Sequence, residues 1–146
     1  MTENLYLLVG YDGSAPATRA LDAAVRLLGG RTGSIEVFYV AHPTAGEMMS
    51  PDALAELQAS FAEIVKELEV QAEEQLRGRD VPWEFAHTLG DVANELIKEA
   101  EALREAHPGD TVVIVAGSSS HAIHRMIGSV PVGLARRAPV PLVIVP

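Results

Sequence analysis

"TVVIVAGSSSHAIHRMIGSVPVGLARR", from Thr111 to Arg137, decides how the fold is read. Its first seven residues form an apolar run with no polar alternation, rich in β-branched side chains. That is the pattern of a central strand covered on both faces. Gly117 then opens a loop of glycine, serine and histidine that ends at Gly128 and Ser129. A short helix is predicted from about Val130 to Arg137, with Pro131 in its first turn, where a missing N–H costs nothing.

The same strand–loop–helix grammar recurs upstream. Leu5 to Val9 reads as a buried strand ending in the turn "GYDGSAP". From Pro16 to Leu28, Ala20, Leu21, Ala24, Val25 and Leu28 recur at helical spacing, with Ser14 as N-cap and Gly29 and Gly30 as the stop. "IEVFYVA", Ile35 to Ala41, is a second strand. A long helix is expected from Pro51 to Leu76, with Leu54, Leu57, Phe61, Ile64, Val65, Leu68 and Ala72 as its apolar stripe. Its glutamates, spread evenly and mixed with Lys66 and Arg77, read as a solvated face. Val81 to His87 is a third strand. Asp91 caps a helix from Val92 to Ala106 that turns Ala93, Leu96, Ile97, Ala100 and Leu103 inward and ends at "HPGD". Val140 to Val145 closes the chain as a short strand flanked by prolines.

Five strands alternating with four helices imply an α/β fold: an open parallel sheet with right-handed crossovers. The chain of 146 residues is read as one domain, 1–146, large enough to bury roughly two thirds of its extended surface. An apolar strand at a bare sheet edge invites pairing. A homodimer through Val140 to Val145 is therefore expected, the alternative being that the strand is internal or covered by a loop.

Composition narrows the function. With no cysteine, disulfides, thiolate catalysis and cysteine-bound zinc are excluded. A net charge of −9 gives long-range attraction to nucleic acid and anionic membranes the wrong sign, so neither is expected as a partner. "MTENLYLLVG" has no basic segment ahead of its apolar run, and no stretch approaches a membrane span. A cytoplasmic protein is expected.

Chemistry in such sheets sits beyond the carboxyl ends of the strands, where strand order reverses. The loops after Val9, Val40 and Ala116 would converge there. Neither a G-x-G-x-x-G after the first strand nor a G-x-x-x-x-G-K-[ST] is present. A helix N-terminus at Ser129 would attract an anion, although glycine and serine also serve for turning alone. His121 and His124 lack a third metal ligand and read as exposed loop residues. His42 and His87 read as polar trim at strand ends, Met48 and Met49 as packing, and Trp83 as packed on a helix. No nucleophile paired with a base is specified, and enzymatic activity is not expected.

Together these stretches resemble the universal stress protein family: "LLVGYDGSAPATRALDAAVRLL", "IEVFYVAHP", "HTLGDVANELIKEA" and "VVIVAGSSSHAIHRMIGSVPVGLARRAPVPLVIVP", in matching order and spacing. The resemblance implies a Rossmann-like open five-stranded parallel sheet in order 3-2-1-4-5, helices on both faces, and a dimer through the last strand. It also implies a stress-response regulator that binds ATP or AMP, with magnesium optional, and acts on an unidentified regulatory protein partner. Members that bind ATP carry G-x-x-G-x9-G-[ST]. Transferred here, Gly10, Tyr11 and Asp12 form the turn after the first strand, with Asp12 at the ribose. The main chain at Val40 holds adenine. Gly117 opens the phosphate loop, and Gly128, Ser129 and Val130 close it.

Two departures stand out. Ser120 occupies the place of the second glycine, and seven residues rather than nine separate it from Gly128. A Cβ at a left-handed position costs about 1 kcal/mol or more. The shortened loop either draws residues from His121 to Arg125 across the phosphate space or lets Arg125 or His124 supply a compensating charge. A second reading therefore stays open: a homodimeric adaptor of the same fold that needs no nucleotide.

Overall fold

The computed structural model describes residues 3–42, 50–118 and 129–146. Among these residues nine elements alternate: β1 (Leu5–Gly10), α1 (Ala15–Leu28), β2 (Gly33–Ala41), α2 (Pro51–Leu76), β3 (Trp83–Leu89), α3 (Val92–Ala106), β4 (Thr111–Gly117), α4 (Ser129–Arg137) and β5 (Leu142–Val145). The strands form one sheet in the order β3-β2-β1-β4-β5, and every pairing is parallel. The α/β Rossmann-like architecture and strand order expected from the sequence are therefore present.

Period-two alternation sends the side chains of each strand to two faces. Leu7, Val9, Ile35, Val37 and Val115 pack under α1 and the end of α2, against Leu21, Val25, Leu68 and Leu76. Leu8, Phe38, Val40, Val112 and Ile114 pack under α3 and α4, against Leu96, Ala100 and Leu134. Both layers are closed, which is why β1 and β4 read as continuous apolar runs.

Helix ends follow their sequence signals. The Ser14 side chain accepts from the Ala17 N–H, Ser50 from Ala53, and Asp91 from Asn94. The Gly29 N–H, at φ 54°, donates to the Val25 carbonyl and closes α1.

Three expectations shift. The third strand runs over Trp83–Leu89 instead of 81–87, because its ladder with β2 extends to Ala41↔Leu89. Val81 and Pro82 precede it, and the Pro82 carbonyl still accepts from the Ile35 N–H at 2.9 Å. The last strand starts at Leu142, since Pro141 has no N–H for the ladder and contributes only its carbonyl, to the Ile114 N–H.

The third shift concerns α2. Its bounds are as expected, but the stripe is not buried throughout: only Leu68, Ala72 and Leu76 are. Phe61 lies against Tyr39 and His87, two residues short of the ends of β2 and β3. Ten helical residues precede it, so α2 extends about 15 Å past that level. Leu54 and Leu57 are consequently exposed, and Ile64, three residues after Phe61, is exposed as well.

Candidate functional site

β1 and β4 are neighbours in the sheet, yet the helices that follow them pack on opposite faces. In open parallel sheets such a reversal has its crevice outside the carboxyl ends of the strands, here those of β1, β2 and β4.

The first wall is the turn after β1. The Tyr11 N–H donates to the Phe38 carbonyl at 2.9 Å, tying the turn to β2. The Tyr11 ring goes into the core beneath α1, where it is buried, so only its main chain is left for a ligand. Burial pushes its hydroxyl above the usual tyrosine range; the neighbouring Asp12 charge adds to this and the Thr18 side chain opposes it. Asp12 is exposed, and its Oδ1 accepts from the Ser14 N–H at 3.0 Å and from the Ser14 hydroxyl. That is an Asx turn, which prepares Ser14 to cap α1. The other carboxylate oxygen of Asp12 makes no hydrogen bond among the described residues.

Gly13 completes the turn at φ +79°, a conformation that favours glycine. A Cβ there would lie 2.6 Å from a Leu68 methyl, while Gln71 Nε2 donates to the Gly13 carbonyl at 3.0 Å. The turn is therefore clamped by α2, a contact with no short-range sequence signal.

The second wall is the end of β2. In a parallel ladder the main-chain groups of one strand point alternately to its two neighbours. Phe38 accepts from Tyr11 on the β1 side, and Ala41 accepts from the Gly90 N–H on the β3 side. Val40 therefore turns its amide and carbonyl toward β1. The β1–β2 register ends at Gly10↔Phe38, so these groups stand in the crevice beyond the last paired residue of β1. Among the described residues they have no main-chain partner outside the ladder. His42 lies beside Gly90, its Nδ1 3.3 Å from the Gly90 carbonyl, consistent with polar trim.

The third wall begins at Gly117. A Cβ on it would come within 2.2 Å of the Pro16 carbonyl, so close packing of β4 on the first turn of α1 already requires glycine. The Ser118 N–H donates to the Val145 carbonyl at 2.8 Å and directs the chain over the end of β5. On the far side α4 starts at Ser129 itself, one residue earlier than expected, followed by half-buried Val130. Gly10 lines the floor, with Leu96 packed beneath it. Ser120, His121, His124, Arg125 and Gly128 lie outside the described residues, as do Met48 and Met49. Thus Gly10, Tyr11, Asp12, Val40, Gly117 and Val130 are brought to one end of the sheet, together with the start of α4.

No group of three potential metal-ligating side chains occurs among the described residues. No helix among them is long and apolar enough to cross a membrane.

An open parallel sheet whose strand order reverses between β1 and β4 defines a Rossmann-like α/β domain. The chain belongs to the universal stress protein family, whose model matches residues 6–146. Its fold is shared by universal stress protein UspA from Lactobacillus plantarum, at 20% identity, TM-score 0.77 and full coverage of both chains. A family protein from Arabidopsis thaliana with AMP bound aligns over 97% of this chain and 90% of its own, at 15% identity and TM-score 0.62. The Archaeoglobus fulgidus protein in complex with dAMP aligns over 99% and 98%, at 16% identity and TM-score 0.57. No curated protein matches the chain by sequence.

Proposed function

We propose that this chain is a stress-response regulatory protein that binds an adenine nucleotide, ATP or AMP, at the carboxyl ends of β1, β2 and β4. The observation that carries the reading is the main chain of Val40. An amide and a carbonyl directed past the end of β1 match the donor–acceptor edge of adenine, and main-chain groups with no partner among the described residues call for one. The exposed Asp12 suits ribose hydroxyls. Gly117, Ser120, Gly128, Ser129 and Val130 would surround the phosphates, aided by the N-terminal dipole of α4. Relatives with AMP and dAMP bound support the ligand class. We further propose a cytoplasmic homodimer through β5, which lies at the edge of the sheet with four half-buried residues. Nucleotide occupancy would alter its affinity for a regulatory protein partner.

A second reading, the nucleotide-independent adaptor, has its own support. Gly117 is explained by the Pro16 contact, and Asp12 already shapes the turn before α1. Native mass spectrometry and calorimetry with ATP or AMP, with and without magnesium, separate the two. The expected result is a dimer that takes up one nucleotide per chain, with uptake lost in a folded Gly128→Arg variant. A dimer that stays empty and gives no heat at millimolar nucleotide overturns the binding reading in favour of the adaptor.

A further inference from the structure

Glu36 lies in the middle of β2, in register with Leu8 of β1 and Glu84 of β3. It is 9% exposed, the buried charged residue of an otherwise apolar layer. With Glu84, it lines a small cavity walled by Tyr6, Ser34, Leu103 and His107. Glu84 faces it from β3 and Glu99 from α3, both close enough to act on its charge. His107, at the end of α3, reaches the cavity with its ring stacked on Tyr6, centroids 3.9 Å apart.

No cation offsets this cluster among the described residues. The ion pairs there are Arg26–Asp22, Arg79–Asp22 and Lys98–Glu95. Arg104, one turn along α3 from Ala100, donates to the Pro139 carbonyl instead. With all three glutamates ionised, each is only an acceptor, and Glu36 Oε2 has no donor. A proton on any of them turns a repulsive carboxylate contact into a hydrogen bond.

We propose that Glu36, Glu84 and Glu99 form a proton-operated latch: a shared proton ties α3 to the sheet, and its loss releases that contact. Burial, then the charges of Glu99 and Glu84, push the Glu36 carboxyl up to about 8. The folded chain therefore binds a proton that the unfolded chain gives up near 4.5. The resulting stability is fully present below that lower value and is lost as pH rises through about 8.

Urea unfolding followed by Trp83 fluorescence, from pH 5 to 9, tests this. The folded-to-unfolded ratio of the wild type should fall by up to roughly tenfold per pH unit across the window. Glu36→Gln should remove that slope, whereas His107→Gln should keep it. A wild-type slope no steeper than that of Glu36→Gln overturns the proposal. Should Glu36→Gln not fold, carboxyl NMR of the wild type decides: a Glu36 midpoint near 8 supports the latch, and an ordinary carboxylate midpoint overturns it. Amide exchange at Leu96 and Ala100, corrected for intrinsic rate, should accelerate above pH 8 relative to Leu21 and Ala24 of α1. Equal change in both helices also overturns it.

Discussion

The two faces of the sheet share strands and differ in what they bury. Under α1 and α2 the layer is apolar from Leu7 to Val115. Under α3 and α4 it is apolar except at Glu36, where three carboxylates meet. The first face is held by surface removed from water, which has little pH dependence. The second depends also on a proton. Neighbouring positions on one strand, Ile35 and Glu36, thus respond differently to the same solvent.

The strongest way to break this contrast is through the apolar face. Leu21→Ala should cost about 3 kcal/mol, because it empties space that α1 and the sheet cannot close. The loss, read as a shift in urea midpoint, should be nearly the same at pH 5 and pH 9. A smaller gain is expected on the other face. Glu36→Leu should stabilise the protein by about 2 kcal/mol at pH 8.5, since it replaces a poorly compensated buried charge by an apolar side chain of similar size. A variant equally stable or less stable than wild type at that pH would mean the cluster finds compensation. The smallest effect belongs to the projecting half of α2: Leu57→Ala should change stability by no more than about 0.5 kcal/mol, because little apolar surface is lost there.

Most of the fold was legible because each local signal agreed with the global arrangement. Ser14, Gly29, Asp91 and the apolar run of β4 are read the same way in sequence and structure. Strand bounds slipped where prolines intervene, at Pro82 and Pro141, because a proline carbonyl can pair while its nitrogen cannot. The stripe of α2 misled because periodicity records which side of a helix is apolar, not how far the sheet beneath it extends. At the site, the turn at Asp12 and the convergence on Val40 were legible. The clamp from Gln71 and Leu68 was not, being a contact across more than fifty residues. Glu36 could have been noticed as the one charge within "IEVFYVA", but its partners on β3 and α3 are set by register and helix docking. No local pattern encodes those.

β1 is made first and ends in the middle of the sheet, between β2 and β4. On a ribosome, its β2 edge can pair once residue 41 has emerged, but its β4 edge waits until Thr111–Gly117 has been synthesised. Asn4 reports the same delay: its N–H donates to Asp110 at 3.0 Å, and its carbonyl accepts from the Thr111 N–H. At elongation rates of about 5–20 residues per second, the gap lasts several seconds. Throughout that interval an apolar strand edge stands open beside the exit tunnel, and this is the stage at which a nascent-chain chaperone has most to protect.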